Sequence, residues 1–135
     1  MAMTEHRHRS VIAVVDDDQR ILESLESLLE SADYEVRLFS AGAGLLESGG
    51  LSEIGCLISD VAMPLMDGLE LARAVQAAQP GLPVIFVTGR PDLLHRSRLD
   101  WPGHCRVFKK PFDGQELLTA VALMLRTSRP RAPGS

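Results

Sequence analysis

The stretch Val11-Ile12-Ala13-Val14-Val15-Asp16-Asp17-Asp18, with the helix-period leucines behind it, decides how this chain folds. Five consecutive apolar residues suit a strand buried on both faces, as in a parallel sheet covered by helices. The run is too short to cross a bilayer or to form the core of a signal peptide. Beyond the three aspartates, Ile21, Leu22, Leu25, Leu28, Leu29 and Ala32 fall on one face of a helix. A strand, an acidic turn and an amphipathic helix together make one βα unit.

The unit recurs along the chain. Apolar runs at Val36–Phe39, Cys56–Ser59, Val84–Val87 and Arg106–Phe108 predict strands β2 to β5 after β1 at Val11–Val15. Helix α1 carries the 21–32 face, and α2 is a short segment at about 41–48. Helix α3 is announced by Asp67-Gly68-Leu69-Glu70, where Asp67 and Glu70 form a capping box and Met66 with Leu71 a hydrophobic staple. Asp113 with Glu116, between Phe112 and Leu117, starts α5 in the same way. Its apolar face is Leu117, Leu118, Val121, Ala122, Met124 and Leu125. Helix α4, at about 91–99, has only Leu93, Leu94 and Leu99 as anchors and is expected to be the loosest element. Five alternating strands and helices predict an α/β fold, a doubly wound parallel five-stranded sheet. Right-handed crossovers favour strand order 2-1-3-4-5, with the alternating β2 at an edge.

The 135 residues suit one domain, and 45% apolar with 24% charged residues is an ordinary globular balance. Cys56 and Cys105 lie in apolar surroundings and read as buried free thiols of a cytoplasmic protein. The net charge of −4 is unevenly placed, because Arg7, Arg9, Arg126, Arg129 and Arg131 sit at the ends and leave an acidic body. Such a body repels phosphate backbones, which argues against direct nucleic-acid binding, and no segment suits a membrane. Residues 1–10 and the Pro/Gly-rich 126–135 read as disordered ends, and residues 11–125 as the domain.

In an open parallel sheet, ligands bind at the carboxyl ends of the strands. Strand β1 runs into Asp16, Asp17 and Asp18, β3 into Asp60, β4 into Thr88, and β5 into Lys110-Pro111. Carboxylates crowded on one rim repel one another unless a cation holds them, and oxygen ligands without His or Cys point to Mg²⁺. Asp60 then suits a nucleophile toward a phosphoryl group, with Lys110 neutralising the phosphoryl oxygens and Thr88 donating a hydrogen bond to one of them.

These residues resemble the receiver domain of two-component response regulators, particularly its FixJ/NtrC-like branches. The matching stretches are Val14-Val15-Asp16-Asp17-Asp18, Leu57-Ile58-Ser59-Asp60-Val61-Ala62-Met63-Pro64-Leu65-Met66-Asp67-Gly68, Phe86-Val87-Thr88-Gly89 and Phe108-Lys109-Lys110-Pro111-Phe112. The separations of 43 residues from Asp17 to Asp60, 28 to Thr88 and 22 to Lys110 also resemble the family's. The resemblance covers residues 11–125 and implies the flavodoxin/CheY-like (βα)5 fold. It implies Asp16 and Asp17 as Mg²⁺-binding acids, with the Ala62 carbonyl as a further metal ligand. Asp60 becomes the phospho-acceptor, Thr88 the switch hydroxyl and Lys110 the phosphate-binding lysine, joined to Pro111 by a cis peptide. A sensor histidine kinase or phosphotransfer protein is the implied donor. The implied output is homodimerisation or partner binding through the α4-β5-α5 surface.

The chain departs from the family's pattern in two places. The family usually has an aromatic residue three positions before the lysine, where this chain has Val107, and the aromatic follows at Phe108. Strand alternation puts Phe108 on the opposite face, which leaves Thr88 and shifts of α4 to carry the signal. Ala62 and Arg90 stand where the family tunes loss of the phosphoryl group. Arg90 either reaches the phosphoryl oxygens or hinders attacking water.

Plainer roles suit other residues. Asp18 reads as the start of α1, Lys109 as a solvated neighbour of Lys110, and Trp101 as packing at the α4–β5 turn. His6, His8, His95 and His104 lack partners at metal-ligand spacing. Two other classes of function are weighed beside the receiver. A small Mg²⁺-dependent phosphohydrolase suits the clustered aspartates, but there is no cap domain and no second acid two residues after Asp60. A phosphorylation-independent interaction module suits Val107, but not the complete acid, hydroxyl and lysine set.

Overall fold

A computed structural model of the chain describes residues 10–92 and 105–127. The segment assigned to α4 lies outside the described residues beyond Asp92, as do Trp101, the four histidines and most of both predicted disordered ends. The strands are β1 Val11–Val15, β2 Glu35–Phe39, β3 Cys56–Ser59, β4 Val84–Thr88 and β5 Cys105–Lys109. All pair in parallel in the order β2-β1-β3-β4-β5, as the alternation predicts. Helices α1 (Gln19–Ser31), α2 (Gly42–Glu47), α3 (Gly68–Ala78) and α5 (Gly114–Thr127) cover the sheet, and a 3₁₀ turn at Leu51–Glu53 precedes β3.

The two faces of each strand feed two separate cores. Val11, Ala13 and Val15 of β1 pack with Leu57, Phe86, and Leu71, Ala72 and Val75 of α3. Ile12 and Val14 face the other way, onto Leu22, Leu25 and Leu29 of α1 and Leu117, Val121 and Met124 of α5. This division explains why the central strands are buried at every position and almost wholly apolar: neither face meets water. Each such Leu, Ile, Val or Phe is worth roughly 1.5–3 kcal/mol when fully buried. The edge strands differ. In β2, Val36 and Leu38 pack toward α1, while Arg37 on the opposite face reaches Glu53 at 2.7 Å and Glu35 at 3.1 Å.

Helix starts follow the sequence closely. The Asp18 carboxylate accepts from Arg20 N–H, and Asp67 and Glu70 complete their reciprocal capping box. Asp113 accepts from both Gln115 and Glu116 N–H. Three apolar assignments are corrected. Ala32 is the exposed C-cap of α1, because the helix ends one residue earlier than its apolar periodicity. On α5, Ala122 is exposed and Ala120 is buried in its place. Cys105 is only half-buried because β5 is an edge strand, whereas Cys56 on inner β3 is fully buried and its thiol is pushed up to about 12 by desolvation.

Candidate functional site

The parallel register brings the ends of β1, β3, β4 and β5 to one rim. Strand β1 delivers Asp16, which is 2% exposed, and its backbone N–H donates to Phe39 O at 3.1 Å, fixing the strand end. Strand β3 delivers Asp60, whose N–H donates to Val15 O at 3.0 Å, so the two acidic termini are bonded through their backbones. Asp17 is exposed at the turn, and ligand oxygens of Asp16, Asp17 and Asp60 all lie within 4.8 Å of one another.

Lys110 closes the cluster. Its ammonium donates to Asp16 Oδ2 at 2.9 Å and lies 3.6 Å from Asp60 Oδ2. The peptide joining it to Pro111 is cis, and Lys110 N–H donates to Thr88 O at 2.9 Å. The second oxygen of Asp16 accepts from Asp18 N–H, and Asp60 Oδ1 accepts from Val61 N–H, both at 2.8 Å. Burial, and then the charge of Asp16, push the Asp60 carboxyl above its ordinary range, while Lys110 and the Val61 and Ala62 amides oppose the rise.

One ammonium therefore serves at least two carboxylates in a site that also holds a third. This donor set, carboxylate oxygens with part of their charge unbalanced, fits a hard divalent cation. A metal there would draw on Asp16, Asp17 and Asp60.

The remaining predicted residues are placed as follows. The Thr88 side chain is buried, and its Oγ1 accepts from Arg90 N–H at 2.9 Å. The Arg90 guanidinium turns to Asp92, which it engages through both carboxylate oxygens at 3.1 and 3.0 Å. Ala62 is exposed at the start of the loop after Asp60. Val107 packs on the same face as its register partner Phe86, in the α3-side core. Phe108 faces the α1–α5 side, as strand alternation predicts, with the Arg106 guanidinium 5.4 Å from its ring centre. There it borders a groove of about 360 Å³ between β5 and α5, with Glu116 and Leu123 on the far wall.

Two supporting residues are not singled out by the sequence reading. Ser59 Oγ donates to Asp60 O at 2.8 Å, which anchors the end of β3 from the core side. Gly68 is the first residue of α3, and a Cβ there would overlap the Asp60 carbonyl oxygen and lie 2.9 Å from Val61 Cα. Gly68 N–H also donates to Val61 O at 2.8 Å. The loop that carries Ala62 is thus clamped at its base, directly beside Asp60. A glycine immediately after a helix cap, where a better helix former is ordinarily preferred, was the available signal.

Residues 12–122 match the response regulator receiver domain family. The chain is 38% identical over 117 residues to the response regulator protein TmoT of Ectopseudomonas mendocina, covering 87% of this chain and 53% of that one. It is 35% identical over 122 residues to the transcriptional regulatory protein FixJ of Bradyrhizobium diazoefficiens, covering 90% of this chain and 59% of that one. The chain therefore spans a little over half the length of these curated relatives. Among solved structures, the signal receiver domain of an HD domain-containing protein from Pseudomonas fluorescens Pf-5 superposes with a TM-score of 0.80 at 30% identity. That match covers 89% of each chain. No helix among the described residues is long and apolar enough to cross a membrane.

Proposed function

The chain belongs to the response regulator receiver domain family, and from that premise we propose that Asp60 is its phospho-acceptor, loaded by a sensor histidine kinase or phosphotransfer protein. The observation that carries this reading is the cluster itself: three carboxylates within 4.8 Å, with the Lys110 ammonium 2.9 Å from one and 3.6 Å from another. An oxygen of Asp60 attacks the phosphorus of a phosphohistidine, and the P–N bond breaks. The electron pair returns to the imidazole, and an acyl phosphate forms on Asp60. In the later discharge a water oxygen attacks the same phosphorus, the P–O bond to Asp60 breaks, inorganic phosphate leaves, and the carboxylate is regenerated. The protein is in this sense no enzyme toward external substrates, catalysing only its own phosphorylation and slow dephosphorylation.

Asp16, Asp17, Asp60 and the Ala62 carbonyl would hold Mg²⁺, which when bound neutralises charge developing on the phosphoryl oxygens. Lys110 is close enough to Asp60 to leave Asp16 and pair with a new phosphoryl oxygen. The Thr88 hydroxyl, whose oxygen accepts from Arg90 N–H, keeps its proton free to donate to the phosphoryl group. That bond would pull the 88–90 turn toward Asp60 and alter the surface formed by α4, β5 and α5, which controls dimerisation or partner binding. Arg90, Val107, Phe108 and Pro111 lie along this route and modulate it. The signalling unit is residues 11–125, with 1–10 and 126–135 as its ends, acting in the cytoplasm without membrane or nucleic-acid contacts of its own.

Intact mass after incubation with Mg²⁺ and acetyl phosphate tests the proposal. The expected result is one labile phosphoryl adduct, absent with EDTA and absent in Asp60→Asn. An adduct that persists in Asp60→Asn, or none in wild type with Mg²⁺ bound, overturns it.

A further inference from the structure

We propose that Ser59 is a positioning residue for phosphoryl transfer, selecting through a single peptide plane which oxygen of Asp60 meets the phosphorus. This deepens the reading above and rests on it. Ser59 is the last residue of β3 and is fully buried. Its register partners on either side are Val15 and Phe86, both in the α3-side core. A hydroxyl in such surroundings gives up its water and is worse placed than an alanine unless a hydrogen bond compensates. The compensating bond is the one from Ser59 Oγ to Asp60 O, at 2.8 Å.

That carbonyl and the Val61 N–H are the two ends of one amide, which resonance keeps planar. The Val61 N–H in turn donates to Asp60 Oδ1 at 2.8 Å. Hydroxyl, amide and carboxylate oxygen therefore form one chain, in which the bond accepted at the carbonyl strengthens the N–H as a donor. Turning the peptide plane far enough to break the first bond would break the second as well. The neighbouring contacts hold the backbone on either side of this amide. Asp60 N–H donates to Val15 O at 3.0 Å, and Gly68 N–H donates to Val61 O at 2.8 Å. Gly68 also leaves the Asp60 carbonyl the space it occupies, which a Cβ would take. What sets the tilt of the amide between these fixed points is the Ser59 hydroxyl.

The consequence falls on the carboxylate. With Oδ1 held by Val61, rotation about the Cβ–Cγ bond is arrested, and Oδ2 is the oxygen turned toward Lys110, at 3.6 Å. Asp60 is only 8% exposed, so little water is at hand to replace the amide. In the transfer, Oδ2 attacks the phosphorus, the donor's bond to phosphorus breaks with its electron pair, and the acyl phosphate forms on that oxygen. Such an attack needs the oxygen in line with the breaking bond, and a displacement of about 1 Å is worth up to roughly a hundredfold in rate.

Ser59→Ala and Ser59→Thr test this in the whole chain, with acetyl phosphate as donor. At saturating Mg²⁺, Ser59→Ala should load about tenfold more slowly than wild type, and Ser59→Thr, which keeps the hydroxyl, at close to the wild-type rate. Amide NMR of the metal-free protein gives a readout independent of activity. The Val61 amide proton should move upfield in Ser59→Ala and return in Ser59→Thr, while the Asp60 amide, bonded to Val15 O, stays in place. Where Ser59→Ala melts too low to assay, Ser59→Cys fills the same space with a weak donor and should show a smaller slowing of the same kind.

A wild-type loading rate or an unmoved Val61 amide in Ser59→Ala overturns the proposal. A folded Ser59→Thr that loads as slowly as Ser59→Ala also overturns it, because the hydroxyl is then not what matters. So does a slowing that vanishes once Mg²⁺ is saturating, which would assign Ser59 to the metal site and not to the attacking oxygen. Wild type that loads beside an unaffected Ser59→Ala defeats this role alone and leaves the Asp60 chemistry standing. Wild type that takes no phosphate defeats both readings.

Discussion

The two ends of the same sheet spend their polar groups in opposite ways. At the amino ends of the strands, Gln79 Nε2 donates to Leu51 O at 2.7 Å and to Ile54 O at 3.1 Å, tying α3 to the segment that enters β3. Gln76 Nε2 similarly donates to Leu82 O at 2.7 Å, just before β4. These are neutral groups closing neutral backbone. At the carboxyl ends, three carboxylates and one ammonium are crowded together, and burial raises the Asp60 carboxyl. One end is arranged for stability, and the other gives up stability to hold reactive charge.

Four substitutions sharpen or break this contrast, from the largest expected change in stability to the smallest. Gly68→Ala should be the most damaging, by about 3 kcal/mol in urea unfolding, because the added methyl overlaps backbone that has no room to yield. It should also slow acetyl phosphate loading of the molecules that remain folded, because the displaced backbone is that of Asp60. Full loading at wild-type rate would show that the clamp is structural only. Gln79→Ala at the opposite end should cost about 1–3 kcal/mol, since Ile54 O and Leu51 O both lose its amide, Leu51 O keeping the Ile54 N–H. Its loading rate should match wild type, and a slower rate would break the contrast between the two ends.

Asp60→Asn should change stability in the other direction. The Asp60 carboxyl lies above its ordinary range in the folded chain, so the native state binds more protons there than the unfolded state. That contribution to stability is full below the ordinary carboxyl range and is lost as pH rises through the folded value. In the metal-free protein, Asp60→Asn should therefore melt a few degrees higher than wild type at pH 7, with the gap closing as the pH is lowered toward 4. A destabilised Asp60→Asn at pH 7 would mean that the Lys110 attraction outweighs the burial. The smallest effect belongs to Arg37→Ala on the edge strand. Its exposed pairs with Glu35 and Glu53 should contribute about 0–1 kcal/mol, less in high salt, by the same denaturation measurement.

Much of this was legible in the chain because strands and caps are local. The unbroken apolar runs of β1, β3 and β4 identify inner strands, and Asp67 with Glu70 marks the start of α3 to the residue. The acids, hydroxyl and lysine were legible because each directly follows a strand, and parallel strands put their ends on one rim. Degree of burial was less legible. Cys105 is as apolar as Cys56, and although the predicted order already puts β5 at an edge and β3 inside, residue type alone does not say how far each thiol is covered. Ala122 and Ala120 differ by two residues on α5, and alanine is too indifferent to water for its pattern to choose between them.

The sequence by itself determined the strand–helix alternation, the sheet order and the membership of the rim, since periodicity, capping and crossover handedness act over a few residues or as general rules. Only the tertiary structure decided that Lys110 sits nearer Asp16 than Asp60, that Arg90 is held by Asp92, and that Gly68 must lack a side chain. It also turned Met66 inward and Leu65 outward. These outcomes depend on distances of a few ångströms between segments remote in the chain, and residue spacing carries no information about them.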